Sequence, residues 1–363
     1  MRAHPAPDLH VRGVVLPEGE HRDLWVRAGA VTYEPVKGSD PVATGWVLPG
    51  LVDLHCHVGL DAHGAVPDAV AEGQAATDRD AGVLLIRDAG SPADTRWIDG
   101  RDDLPRIVRA GRHLARTRRY IRNYGHEIEP DQLVAYVEQE ARRGDGWVKL
   151  VGDWIDRDLG ILGPCWPGWA LEAAIARAHE LGARVTAHVF GDLALPDLVA
   201  AGIDCIEHGT GLSPELSAEL ARRGVPVVPT LVNIENFRGY ADAGEARFPA
   251  YAAQMRDLHA RRYDTVRTAY ESGVPVYVGT DAGGVMPHGL AAREVLELVR
   301  AGLPPERAVG AGSWAARAFL LGGSGGLVEG ASADLVVVAD DPRKTPETLL
   351  DPVRVVLRGR VVR

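Results

Sequence analysis

The chain has 363 residues, a formal net charge of −10, 46% hydrophobic residues and 25% charged residues. The acidic balance argues against a nucleic-acid partner, and no apolar run is long enough to span a membrane. The opening residues MRAHPAPDLHVRG lack the apolar segment of a secretory signal, and the three scattered cysteines, Cys56, Cys165 and Cys205, make no disulfide framework, so a reduced, cytoplasmic protein is expected.

Residues 11–47 hold short apolar runs broken by turn signals, VRGVVLPEGE and DLWVRAGAVTYEPV, which read as β hairpins. ADLVVVADDP and VRVVLRGRVVR near the C-terminus read the same way, the latter turning at Arg358-Gly359. Neither end has enough strands for a stable sheet of its own. Residues 1–48 and 322–363 are therefore expected to combine into one small β-sandwich domain.

Between them, residues 49–321 alternate apolar runs with amphipathic helical segments. The predicted strands are 51–58, 82–90, 104–111, 146–153, 183–191, 202–210, 225–233 and 274–283. Helices are predicted at WALEAAIARAHELG and GLAAREVLELVRAG, each ending in glycine. Eight strands alternating with helices predict an α/β fold, a (β/α)8 TIM-like barrel.

The first of these strands, LVDLHCHVGL, carries His55 and His57 two residues apart. Strand side chains alternate faces, so both rings point the same way, and two imidazoles on one face of a buried strand need partners. Chemistry in such a barrel gathers at the C-terminal ends of the strands. There the sequence places His55 and His57, Lys149, His188, His208 and Asp281. Any one of them alone reads as a core histidine, a helix cap or a snorkelling lysine; four strands ending alike point to metal ligands. Histidine and carboxylate suit zinc, and also manganese, cobalt, nickel or iron. Lys149 is one of only three lysines in an arginine-rich chain. A protonated ammonium repels a cation, but a lysine amine reacts with carbon dioxide to give an anionic, bidentate carbamate, which arginine does not readily do.

These residues, together with VLPGLVDLHCHVG, GVLLIRDAGS, WVKL, VTAHVFG, IEHGT, VGTDAG and GLVEGASADLVVVADDP in order, resemble the amidohydrolase superfamily over nearly the whole chain. The resemblance is to the branch of imidazolonepropionase-like proteins and Xaa-Pro or Xaa-Arg dipeptidases. It implies a binuclear site with two divalent ions, zinc first among them. His55, His57 and Asp281 would hold the more buried ion and His188 and His208 the more exposed one, with carboxylated Lys149 and a hydroxide between. It also implies a small-molecule substrate. Asp281 would relay a proton to the leaving nitrogen, and His126, in the loop RNYGHEI, would contact substrate as a second catalytic residue.

Tyr124 and His288 are further pocket candidates, and His63 would support the ligands from behind. His4, His10, His21, His113, His179 and His259 read as surface or helix residues, Cys56 as core, and Glu207 as facing away from His208. Arg118, Arg119 and Arg122 are candidates for a substrate carboxylate, although Val232 stands where the resembled dipeptidases tend to carry a tyrosine. Trp154 and Trp166 are expected to wall the pocket and to favour a bulky apolar substrate. The expected activity is hydrolysis of an amide C–N bond in a dipeptide or N-acyl amino acid, with a cyclic amide or lactone hydrolase and a non-catalytic binding relative as alternatives. A homo-oligomer is compatible with all of these.

Overall fold

The structure, a computed structural model, describes residues 7–39 and 41–363; His4 lies outside them. Strands from both ends of the chain form one mixed sheet of seven. Its order is Arg360–Val361, Arg354–Leu357, Leu335–Val338, Pro41–Pro49, Leu9–Val15, Glu20–Arg27 and Ala30–Thr32. Alternating apolar residues drive it: Val11, Val15, Leu24, Val47, Leu335 and Val356 share one buried cluster. His10, expected at the surface, is buried and stacked on Trp25, because the flat face of the indole covers its ring.

The middle of the chain builds parallel sheet. Leu51–Cys56 pairs with Val83–Asp88, which pairs with Arg106–Arg109. A second run joins Leu114–Arg116, Trp147–Val151, Arg184–Val189, Cys205–His208 and Val227–Val228, each parallel to the next. Helices such as Gly168–Glu180 and Ala291–Arg300 cover these strands, so the strands are buried on both faces and read as unbroken apolar runs.

Two predicted strands come out differently. The third breaks after Arg109, near Gly111, whose φ of +73° favours glycine, and its continuation Leu114–Arg116 joins the second run. The seventh is cut to Val227–Val228 because Pro229 cannot donate to a ladder; the chain then coils into the short helix Leu231–Ile234. The eighth segment, 274–282, forms bridges rather than a regular ladder. Val227 N donates to Pro275 O (2.9 Å) and Tyr277 N to Val227 O (3.0 Å) on one side. On the other, Leu54 N donates to Val278 O (2.9 Å) and His57 N to Ala282 O (2.8 Å).

Gly279 permits this close approach: a Cβ there would lie 2.3 Å from Val228 Cγ1 and 2.7 Å from His55 Cβ. Overpacking of this kind costs about 1–3 kcal/mol. Gly279→Ala is expected to lose that much in urea unfolding and to disturb His55; an unchanged midpoint would contradict the packing described.

Candidate metal centre

All the parallel strands end on one side, and there the ligand-type side chains meet. Asp281 Oδ1 lies 3.1 Å from His55 Nε2 and 2.9 Å from His57 Nε2. His188 Nδ1 faces His208 Nε2 at 3.0 Å, and the His55 and His208 rings are 4.9 Å apart. Potential ligand atoms of His55, His208 and Asp281 fall within 4.8 Å of one another. Lys149 is wholly buried on the strand Trp147–Val151, and among the described residues its amine has no hydrogen-bond partner. Desolvation lowers its pKa, with Glu207 and Asp281 opposing the shift.

The rings are aimed from behind. His57 Nδ1 contacts Gly90 O at 2.7 Å, His208 Nδ1 contacts Thr230 Oγ1 at 2.6 Å, and His55 Nδ1 lies 2.7 Å from Glu207 Oε2. In each case the far nitrogen is occupied and Nε2 is left for the centre, which is how metal-binding imidazoles are held. Burial lowers the pKa of His188 and His208 well below the ordinary value, so these rings are neutral and have a lone pair to give. For Asp281, burial alone would raise the pKa, but the neighbouring His55 and His57 hold it well below the usual range. Four convergent imidazoles, a carboxylate and an orphaned buried amine that can become an anion fit a pair of divalent cations.

Glu207 does not face away. His208 has φ +65°, and this left-handed residue breaks the strand's alternation, so consecutive side chains both turn inward. Glu207 there meets His55, Arg87 and the Thr186 hydroxyl, all buried. His113 is likewise no surface residue: it is fully buried, its ring 5.2 Å from that of His57, and both nitrogens are without a partner among the described residues. Gly90 makes the room, since a Cβ there would come 2.9 Å from the ring. The sequence offered no signal for either residue beyond their nearness to strand ends.

A cavity of about 430 Å³ opens over His57, His188 and Asp281. Tyr124 and Trp154 line it, while Trp166 is core, its Nε1 donating to Val151 O at 2.8 Å. Asn233, unremarked in the sequence, lines it too and donates Nδ2–H to Asp281 Oδ2 at 2.7 Å. His126 is not among the lining residues. Its Nε2 lies 3.0 Å from Glu140 Oε1, a buried carboxylate that needs such a partner, so the geometry does not support the substrate contact expected of it. His288 also lies outside the lining, with Nδ1 2.8 Å from Asp78 Oδ2 and 3.7 Å from the Cys56 thiol. His63 is exposed, and His259 is buried within the helix Pro249–Glu271.

Glu207→Gln leaves buried Arg87 without its counter-charge and is expected to cost about 3–5 kcal/mol of unfolding free energy. Burial would raise the Glu207 pKa, but Arg87 and His55 hold it well below the ordinary value. Its stabilisation is therefore complete above about pH 4.3 and is lost as pH falls below that towards the depressed folded value. The gap between wild type and variant, followed by denaturant titration at several pH values, should close on the acid side. A gap independent of pH would contradict the ionised pair.

Residues 46–362 match the sequence profile of the amidohydrolase family. Two uncharacterized mycobacterial proteins, from Mycobacterium tuberculosis and Mycobacterium bovis, are each 56% identical over 354 residues, covering 97% of this chain and 95% of the relative. The fold is similar to that of a Xaa-Pro dipeptidase with bound methionine, with a TM-score of 0.79 at 22% identity, covering 98% of this chain and 99% of that one. It is also similar to that of a candidate prolidase from Bifidobacterium longum, with a TM-score of 0.82 at 23% identity, covering 99% and 95%. The profile spans the converging strand ends and the C-terminal strands of the terminal sheet, and the chain belongs to the amidohydrolase family of hydrolases.

Proposed function

We propose that this protein hydrolyses an amide C–N bond at a centre of two divalent metal ions, zinc by preference. In this reading His55, His57 and Asp281 would hold one ion and His188 and His208 the other, with Lys149, carboxylated by carbon dioxide, as a further anionic ligand. The observation that carries it is the Lys149 amine, buried without a partner among the described residues, near four imidazoles and a carboxylate. Such ions, when bound, would acidify a water molecule and polarise a substrate carbonyl.

The chain's own residues do the rest. Glu207, Gly90 and Thr230 fix the rings of His55, His57 and His208. Asn233 holds Asp281 Oδ2, leaving Oδ1 turned to the centre to take a proton and return it to the departing nitrogen. That return matters because an amide anion is a very poor leaving group. The wall residues exclude water from the reacting carbonyl.

The architecture that suits this chemistry is a closed (β/α)8 barrel over residues 49–321, supported by the parallel pairings and by the hydrogen bonds of 274–282 to strands on either side. In the same reading the described residues of 1–48, with 322–363, would make a small β-sandwich domain beside it. Shared burial of Val31 and Val356 and the Val31 N to Ala331 O hydrogen bond (2.8 Å) support a sheet that folds over itself. Three free, buried cysteines suit a reducing, cytoplasmic setting, and among the described residues no helix is long and apolar enough to cross a membrane. Dipeptides and N-acyl amino acids are the first substrates to try.

Protein purified without chelator and with bicarbonate present is expected to carry close to two divalent ions per chain by plasma mass spectrometry, and chelation should abolish turnover. One ion would remove Lys149 as a bridge; none, after metal is added back, would favour a binding protein. Asp281→Asn should keep much of its metal and lose about 10²–10⁴-fold in kcat; full activity would refute the proton relay.

A further inference from the structure

The cavity over the centre bears on what the amide carries. Tyr120, Trp154, Phe190, Tyr240, Tyr251 and Met286 make its walls. At about 430 Å³ it lies in the range that encloses a whole small molecule. Apolar surface continues outward at Ile121 and Val285, which line the cavity and are 38% and 66% exposed. Among the described residues, no lysine or arginine side chain lines it.

The nearby cations are committed elsewhere. Arg119, in the loop above the centre, pairs with Asp156 Oδ2 at 2.7 Å and donates to Gly163 O at 2.9 Å. Arg112 donates to Tyr124 O at 3.0 Å. Arg118 and Arg122 do not line the cavity, and His126 is held by Glu140. Beyond strand seven, Val232 presents an aliphatic side chain, and its N–H is taken by Glu294 Oε2 at 2.8 Å.

A substrate carboxylate turned towards the walls, away from the metal ions, would lose its water and meet no lysine or arginine. Burying an unpaired carboxylate is strongly unfavourable, whereas an aromatic or branched alkyl group gains from every wall residue it covers. Four tyrosines, Tyr120, Tyr124, Tyr240 and Tyr251, supply neutral polar tips.

Resting on the hydrolase reading above, we infer that the physiological substrate is an uncharged amide bearing an aromatic or branched alkyl group, with no free carboxylate beside the scissile bond. Water adds across the carbonyl, the C–N bond breaks, and the products are a carboxylate and an amine that carries off the proton.

The test uses the metal-loaded full chain and a matched pair, N-benzoyl-2-phenylethylamine and N-benzoyl-L-phenylalanine, which differ only in the carboxylate. The neutral compound is expected to have a kcat/KM at least about 30-fold higher and to bind tighter by isothermal titration calorimetry. Met286→Arg, at the wall, should narrow or reverse the ratio; circular dichroism checks that it is folded, and Val285→Arg at the rim is the second variant. Equal or better use of the carboxylate compound overturns the inference, as does binding of neither. Tighter binding of the neutral compound without turnover upholds the substrate class and refutes the hydrolase reading instead.

Discussion

The centre depends on one buried charge. Glu207 sits at the base of the converging strands with Arg87 from the second strand, Thr186 from the fifth and His55 from the first. Arg87 in turn lies over the Trp147 ring at 4.5 Å and donates to Leu54 O at 2.7 Å. A charge removed from water is tolerable only when every partner is in place. The anion therefore ties four strands to one geometry, and His55 is aimed by the same contact that helps satisfy it.

Backbone conformation completes the arrangement. His208, Thr230 and Asp281 have φ of +65°, +49° and +58°, a region that costs side-chain-bearing residues free energy and persists only where the surroundings demand it. All three stand at strand ends facing the centre. Each departs from the two-residue alternation, and the departure lets Glu207 and His208, or Thr280 and Asp281, serve as neighbours: Thr280 Oγ1 donates to Asp53 Oδ2 at 2.5 Å while Asp281 meets the histidines.

That explains what the sequence disclosed and what it concealed. His55 and His57 were legible because a regular strand lets i and i+2 share a face. The lysine, the later histidines and the aspartate stood out as chemistry at the ends of apolar runs. Glu207 was misread because the alternation rule assumes extended backbone and His208 is left-handed. His113, Asn233 and Tyr120 lie on segments whose direction is set by packing against distant strands, and His126 and His288 are drawn off by the buried acids Glu140 and Asp78, which no local pattern announces. The parallel strands were legible from their apolar runs, but the seventh shortened because its prolines weigh more than its valines.

The seven-stranded sheet also orders events in time. Pro41–Pro49 lies in its middle, with Leu9–Val15 on one side and Leu335–Val338 on the other; Leu48 pairs with Val336. At a synthesis rate of about 5–20 residues per second, its second neighbour leaves the ribosome some 15–60 s after it does. Throughout that interval the nascent chain carries a largely apolar strand with one open edge, and such edges recruit other chains. The burden on the cell's holding chaperones therefore falls on Pro41–Pro49, and it is relieved when Leu335–Val338 emerges.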